Sequence, residues 1–390
     1  MILPSYAEIP NSRSIAWVRN LNLRGFRGLP IDVWVVRPRS RQSLKERLRT
    51  ENTSRFHLHE LEYPDLFNYP GPFDFLFSTL ILLLTLASRG AADLCISTDL
   101  RSGFCALILK KLRIARKWCH DDEDYAAAYY SKGVFVKLIS KTLESAIIRN
   151  SDLVTSVSST LEGLRKRQGA RRTAIFPNGV YPGAITKNPY DKGNKKKLAY
   201  IGNLGEPWGV DLAIKAVSLL PRSEGYSLTI IGGGEEGTRL MQLAESLKIQ
   251  EQISFLGPMD YFDARSKLAT CGIGLAPYRS SSGALFGVPL KIKEYLSIGM
   301  LVVSTDVGEI RAFLKETEGG LCVREDAEQI SRAIMTLCEA PDFYSKVTRA
   351  QKFVNQLYSW ETIFRDQEQY ILNALDMRTG QSQTHEGLVI

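Results

Sequence analysis

Apolar residues along this chain gather in short continuous runs, and between the runs they recur at the three-to-four spacing of a helix face. The run IDVWVV lies within residues 30–39 and closes on Arg37-Pro38, and a helical stretch from about Ser14 to Gly25 precedes it. The unit repeats: the stretch 75–87 leads into ADLCIST, 102–112 into ARKWC, and 134–149 into SDLVTSVS. Buried strands alternating with helices predict a parallel sheet covered on both faces.

After TAIFPNGV (173–180) comes a polar, turn-rich segment with Pro182, Gly183, Pro189, Gly193 and Lys195-Lys196-Lys197, the composition of an interdomain linker. A second series then begins: KLAYIGNL, a helix over 210–219, SLTIIGGG, a helix over 236–248, and ISFLGPM. It continues with a helix over 260–270, CGIGLAPY, a helix from Lys291 to Ile298, MLVVST, GGLCV and a helix over 326–338. The pattern predicts an α/β protein of two doubly wound, Rossmann-like domains facing across a cleft, one over 1–178 and one over 179–359, with ligands at the carboxyl ends of the strands. An amphipathic helix over about 360–376, with Trp360 as a packing anchor, ends the periodic region.

Composition narrows the class. The 390 residues are 44% hydrophobic and 24% charged, ordinary for a folded two-domain chain. Six scattered cysteines form no C-x-x-C pair or compact His/Cys cluster, so free thiols in a reducing compartment and no metal site are expected. The N-terminus lacks the pattern of a signal peptide, which gives a cytoplasmic expectation. Residues 1–172 hold 27 Lys/Arg against 17 Asp/Glu, a net +10, and the remainder is net −2. A one-sided basic excess suits an anionic partner. No recognisable nucleic-acid module accompanies it, which leaves an anionic membrane surface reached through the N-terminal domain, or simply a solvated basic face. The run Phe75 to Ala87 is too short to span a bilayer and reads as a core helix or as an interfacial one at the inner face of a membrane.

Two strand ends run straight into glycine turns, YIGNLG with Gly202 and Asn203, and IIGGGEEG with Gly232 and Gly233. Such turns let backbone approach a phosphate, or serve only packing. The segment PYRSSSGALFGVPLKIKEYLSIGMLVVST carries more: a strand ending at Pro277, a Ser/Gly-rich loop with Gly287, Pro289 before a helix bearing Lys291 and Glu294, and Gly299 closing it. Free amides at that helix N-terminus suit a diphosphate, Lys291 adds positive charge, and Glu294, one turn on, suits a ribose diol.

This stretch, with YIGNLGEPWGVDLAIKAV, LTIIGGG, ISFLGPM, GLAPY and PNGV, resembles the retaining glycosyltransferases of family four, group 1 enzymes of the GT-B fold. PLKIKEYLSIGMLVVS matches the family pattern P-x-K-x-x-E-Y-L-x-x-G-x-x-V-V. The resemblance covers roughly 198–340 well and 1–180 in outline. It implies a C-terminal domain holding a nucleotide-sugar, an N-terminal domain holding the acceptor, and a last helix that crosses back to the N-terminal domain. It gives Glu294 the donor ribose and the amides around Gly287 and Val288 the phosphate. Three positions depart from the family. Phe286 stands where an acidic residue often lies near the sugar, and Asn203 and Trp208 stand where many members carry the Arg and Lys of a diphosphate clamp. Arg279, Lys291 and the helix N-terminus are the expected substitutes.

In the first domain WCHDDEDY packs four carboxylates beside a histidine at a strand end, a group costly in a core and so expected at solvent or a cleft, either as an acidic cap or as chemistry. By resemblance His120 lies near the transferred sugar, with Asp121 or Asp122 as the alternative, a base for an acceptor hydroxyl. Arg13, in the loop PSYAEIPNSRSI, is a candidate for the acceptor side. The expected activity is metal-independent hexosyl transfer from a nucleoside diphosphate sugar to a glycan or lipid-linked acceptor, with retention implied by the resemblance and no cofactor beyond the substrate. The rivals are a nucleotide-sugar epimerase and a non-catalytic nucleotide-sugar-binding partner subunit.

Overall fold

The computed structural model describes residues 2–3, 13–24, 26, 29, 31–38, 53, 55–63, 72–123, 134–182, 195–377 and 388–389. Two compact units share the chain, one formed by Met1–Pro177 with Ile363–Ile390 and the other by Asn178–Thr362.

The first unit is built on parallel strands β1 (Ile2–Leu3), β2 (Ile31–Pro38), β3 (Phe56–Tyr63), β4 (Ala92–Ser97), β5 (Ala115–Asp122), β6 (Leu153–Ser156), β7 (Thr173–Ile175) and β14 (Leu388–Val389), in the order β14-β2-β1-β4-β5-β6-β7 with β3 also on β2. Helices α1 (Arg13–Arg24), α2 (Pro72–Ala87), α3 (Leu100–Lys111), α4 (Val134–Asn150) and α5 (Ser159–Gln168) connect them. Their ends follow capping chemistry. Asp99 and Ser102 form a reciprocal capping box at α3, and Ser158 caps α5, which Gly169 ends in the left-handed conformation. Trp34, Leu82, Leu86, Cys95, Cys105 and Trp118 make one shared core, and Trp17 is fully buried.

The run over 75–87 becomes α2, which buries Leu82 and Leu86 and leaves Leu76, Leu80 and Leu84 largely exposed. The acidic segment expected at a strand end instead lies inside the strand, because β5 continues through Asp122 and pairs His120, Asp121 and Asp122 with Val154, Thr155 and Ser156 of β6. Asp124 and Tyr125 of that segment, and linker positions 183–194, lie outside the described residues.

The second unit has the six-stranded order β10-β9-β8-β11-β12-β13, all parallel: β8 (Lys197–Ile201), β9 (Ser227–Ile231), β10 (Ile253–Phe255), β11 (Ile273–Ala276), β12 (Leu301–Thr305) and β13 (Gly320–Val323). Helices α6 (Val210–Ser218), α7 (Gly237–Ser246), α8 (Tyr261–Leu268), α9 (Leu290–Ser297), α10 (Ile310–Thr317), α11 (Ala327–Glu339) and α12 (Phe343–Leu357) complete it. The periodicity reading leaves out α12. Its buried residues Val347, Ala350 and Val354 make it an ordinary amphipathic helix, packed on α9.

Helix α13 (Trp360–Ala374) starts in the second unit, where the Trp360 amide donates to Val180, and from Ile363 onward belongs to the first. There Phe364 packs on Trp17 with ring centroids 4.1 Å apart, and Asn20 donates to Glu368. Both units are Rossmann-like in strand order and connection.

Candidate functional site

In the second unit the candidate site is assembled by the ends of β8 and β9 and by the start of α9. Gly202 and Gly232 adopt φ of +139° and +134°. A Cβ on Gly232 would lie 1.9 Å from the Gly202 carbonyl oxygen, and one on Gly202 would lie 2.8 Å from the Lys291 Nζ. Only glycine therefore lets these two strand ends meet and lets the lysine reach them. The Gly202 amide donates to Ile231 and the Gly232 amide to Gly257, so neither amide is left for a phosphate; the two turns shape the site by packing. This corrects the expectation of direct backbone contact at Gly202 and Gly232. Leu204 donates to the Gly233 carbonyl, and Asn203 is exposed, its carbonyl accepting from the Tyr200 hydroxyl at 2.7 Å.

Helix α9 starts after Pro289, whose ring offers no side-chain cap, so the amides of its first turn lack that partner. Tyr295, one turn along, fixes the helix against the sheet. It is fully buried, and its hydroxyl accepts from the Ile201 amide at 2.9 Å. The loop ahead of α9 makes a tight 3-10 turn over Gly283–Phe286, leaving Phe286, Gly287 and Val288 half-buried, while the buried Ser282 hydroxyl finds no partner among the described residues.

The Lys291 ammonium stands over the Tyr200 ring at 4.1 Å, with Tyr278 at 5.0 Å and Trp208 at 5.6 Å. No carboxylate pairs with it among the described residues, and burial brings its pKa down to about 7. The family's clamp position at Trp208 thus supplies not a cation but an aromatic wall for one. Arg279 does not join Lys291 as a second free cation. Its Nη2 meets both oxygens of Asp211 at 2.8 and 2.9 Å, and its Nε reaches the Glu206 carbonyl, so its charge is already matched. That removes the expectation that Arg279 replaces the missing clamp.

Glu294 is buried at 7% exposure. Its Oε1 accepts from the Tyr261 hydroxyl at 3.0 Å and its Oε2 from Arg265 Nη1 at 2.6 Å, both from α8. Sequence reasoning missed these two partners. Their spacing of four places them on one helix face, but nothing local ties that face to a carboxylate about thirty residues on.

In the first unit the three residues expected to do chemistry are locked into the fold. Asp121 is fully buried and accepts from Arg13 Nε at 2.7 Å and Nη2 at 3.0 Å, from Trp17 at 2.8 Å, and from Thr155 and Gln367 at 2.7 Å each. Burial alone would raise its pKa, but Arg13 and these donors hold it below the usual range. Asp122 meets Arg165 at 2.5 and 2.9 Å, and Arg165 also binds Glu144. Both carboxylates are buried and paired with an arginine, a setting of fold bracing that does not suit the base role expected of Asp121 or Asp122. His120 lies buried with Nδ1 2.8 Å from Ser97 Oγ and its ring against Gly103 of α3. Burial, and then Arg165, lower its pKa to about 4, so it is neutral and enclosed rather than open to a sugar. Arg13 is not a loop residue facing an acceptor. It opens α1, is buried, and binds Asp121, Gln367 and the carbonyls of Phe176 and Pro177. This network ties α1, β5, β6 and α13 together, and its signal in sequence was the density of charge itself.

Comparison with known proteins agrees with this geometry. Residues 185–353 match the family model described as glycosyl transferases group 1. The chain is 23% identical over 193 residues to an uncharacterized glycosyltransferase of Haemophilus influenzae, covering 49% of this chain and 52% of the relative, so it spans about half of that protein. It is 24% identical over 287 residues to the putative colanic acid biosynthesis glycosyl transferase WcaI of Escherichia coli, covering 67% and 70%. Among solved structures, sucrose-phosphate synthase from Thermosynechococcus elongatus aligns at TM-score 0.74 and 17% identity over 94% of both chains. Anabaena HepE in complex with UDP aligns at TM-score 0.72 and 14% identity over 95% and 98%. The chain therefore has the GT-B fold of two Rossmann-like domains, and residues 185–353 are similar to the group 1 glycosyl transferases.

Proposed function

We propose that this chain moves a hexosyl group, with retention and without a metal ion, from a nucleoside diphosphate sugar to a glycan or lipid-linked acceptor. The observation that carries the reading is Lys291 at the glycine-lined end of β8, with Glu294 one turn further along the same helix, inside the region matching the group 1 transferases. Solved neighbours titled as complexes with UDP or UDP-glucose support a uridine nucleotide as the first donor to test. In this reading the sugar–phosphate bond lengthens through an oxocarbenium-like state while charge builds on the departing diphosphate. Lys291 and the uncapped amides at the start of α9 stabilise that charge, and Glu294 holds the ribose. With Asp121 and Asp122 consumed internally, the acceptor proton passes to the donor's own phosphate oxygen rather than to a side-chain base.

Support for a lipid-linked acceptor comes from the first unit. Leu76, Leu80 and Leu84 line one face of α2 at 59%, 53% and 64% exposure, and Leu138 and Ile139 of α4 are 61% and 51% exposed between Lys137 and Lys141. No helix among the described residues is long and apolar enough to cross a membrane. Exposed leucines beside lysines, in the half of the chain that is net +10, match an anionic phospholipid surface at the cytoplasmic face, which would bring a lipid-linked acceptor to the enzyme.

A panel of nucleotide-sugars screened by thermal shift identifies the donor, since a ligand at 100 times its Kd adds about 2.7 kcal/mol to stability. The stabilising donor is then incubated with and without membrane extract. Transfer into lipid supports the reading. Full interconversion of donor without acceptor identifies an epimerase instead, and donor binding without turnover identifies a partner subunit.

A further inference from the structure

An ammonium set into a protein is ordinarily held by a carboxylate or by carbonyl oxygens. Lys291 has neither among the described residues. Three ring faces stand around its Nζ instead, Tyr200 at 4.1 Å, Tyr278 at 5.0 Å and Trp208 at 5.6 Å. The rings are themselves fixed. The Tyr200 hydroxyl donates to the Asn203 carbonyl at 2.7 Å, and Trp208 packs edge-on against Tyr278 with centroids 5.7 Å apart. Trp208 ends a 3-10 turn, Glu206–Trp208, that closes on Gly209 at a φ of +63°, where a Cβ would lie 1.8 Å from the Pro277 carbonyl oxygen. That glycine lets the loop after β8 lie against the end of β11, which brings Trp208 to Tyr278. The two carboxylates that flank Trp208 in sequence are engaged elsewhere: Asp211 accepts from Arg279 and Lys215, and Glu206 lies 3.2 Å from Arg279 Nε.

Resting on the reading of Lys291 as the cation that meets the donor's diphosphate, we propose that Trp208 is a positioning residue: with Tyr200 and Tyr278, its ring holds the Lys291 ammonium at the end of β8 and so sets the affinity of the site for the diphosphate part of the donor, leaving the nucleoside part untouched. Ring faces attract a cation without neutralising it, and they do not take up its N–H donors as a carboxylate does. A lysine held in this way keeps its charge and its donors for an incoming anion. Arg279, matched by Asp211, would first have to break an ion pair. The three rings differ in what else they do. Tyr200 and Tyr278 are fully buried core residues, whereas Trp208 is half-buried, so it is the ring whose hold on the ammonium separates best from packing.

The test uses the full-length protein and isothermal titration at pH 7 with UDP and with uridine, which carries no phosphate. Lys291→Met should weaken UDP and leave uridine unchanged. Trp208→Leu removes one ring face and should weaken UDP by about two- to thirtyfold, the span of a cation–π contact from exposed to desolvated sites, again with uridine unchanged. Trp208→Phe keeps a face and should lose less, and it serves for the same comparisons where the leucine variant does not fold. In the double variant with Lys291→Met, loss of the ring should weaken UDP no further, because the two residues act through one contact. A ring substitution that weakens UDP and uridine alike, that weakens UDP by the same factor with and without Lys291, or that leaves UDP unchanged overturns the proposal and makes Trp208 a packing residue. If wild type binds UDP no more tightly than uridine, or Lys291→Met binds UDP as wild type does, the diphosphate reading of Lys291 fails and the role of Trp208 with it.

Discussion

In the proposed function Lys291 is the cation that meets the donor's diphosphate, and its surroundings give that proposal a measurable pH signature. Its pKa stands at about 7, lowered by burial, because the faces of Tyr200, Trp208 and Tyr278 return only part of the hydration the ammonium loses. In the free protein the ammonium is therefore about half protonated at pH 7, and a bound diphosphate raises its pKa again. Between the free and bound values, binding takes up a proton, and each pH unit weakens affinity by about tenfold, or about 1.4 kcal/mol. From pH 7 to pH 9 the protonated fraction falls about fiftyfold, which sets an upper bound of about 2.3 kcal/mol on the loss. Part of the lysine side chain still meets solvent, so about half of that is the expected effect. The nucleotide's terminal phosphate, with a pKa near 6, adds little slope in this window.

Titration of UDP at pH 7, 8 and 9 in two buffers of different ionisation heat measures both the affinity and the proton count. Lys291→Met should bind more weakly at pH 7 and show neither slope nor proton uptake, whereas Lys291→Arg should keep the charge and lose the slope. Stability carries the opposite sign. The folded pKa lies below the unfolded value, so the unfolded chain holds more protons between about pH 7 and 10.4, and wild-type stability should rise with pH across that window in a way Lys291→Met does not. A wild-type affinity that stays flat from pH 7 to 9, with no proton uptake, would refute the reasoning.

Three further outcomes follow. Asp121→Asn leaves the buried Arg13 without its carboxylate and should cost about 3–5 kcal/mol by chemical denaturation; a variant of wild-type stability that has lost only turnover would restore a catalytic role to Asp121. Gly232→Ala drives a Cβ into the Gly202 carbonyl at a φ of +134°, so a loss of about 3 kcal/mol or more, seen as a fall of roughly 6 °C in Tm, is expected, and an unchanged Tm would show that the two strand ends do not meet. Leu80→Glu with Leu84→Glu, both on the exposed face of α2, should abolish flotation with anionic liposomes at low salt while leaving UDP affinity intact; flotation equal to wild type would remove α2 from the membrane surface.

Much of the fold could be read from the pattern because strands buried on both faces must be continuous apolar runs, and IDVWVV, SLTII and MLVVS are such runs. The helix that carries the proposed donor residues was legible for a related reason. Pro289, Lys291, Glu294 and Gly299 sit at spacings fixed by a single helix, so local sequence carries their order. The acidic segment was misread because its meaning is not local. Asp121 is made affordable inside the sheet by Arg13, 108 positions away, and by Gln367, 246 positions away, and Asp122 by Arg165, 43 positions on. A charge cluster read alone belongs at a surface, and only tertiary pairing turns it into a buried brace.

The same limit applies to the clamp. From sequence, Asn203 and Trp208 look like two lost cations. In the structure Trp208 is one wall of the box that holds Lys291, and Gly202 is the gap through which that lysine reaches the end of β8. The lysine at 291 belongs to the same pattern P-x-K-x-x-E that marks the resemblance, and here its ammonium packs against the aromatic residue at 208. Trp208 and Lys291 therefore pack as one unit, and the residue that departs from the family pattern at 208 walls in the lysine that keeps to it at 291.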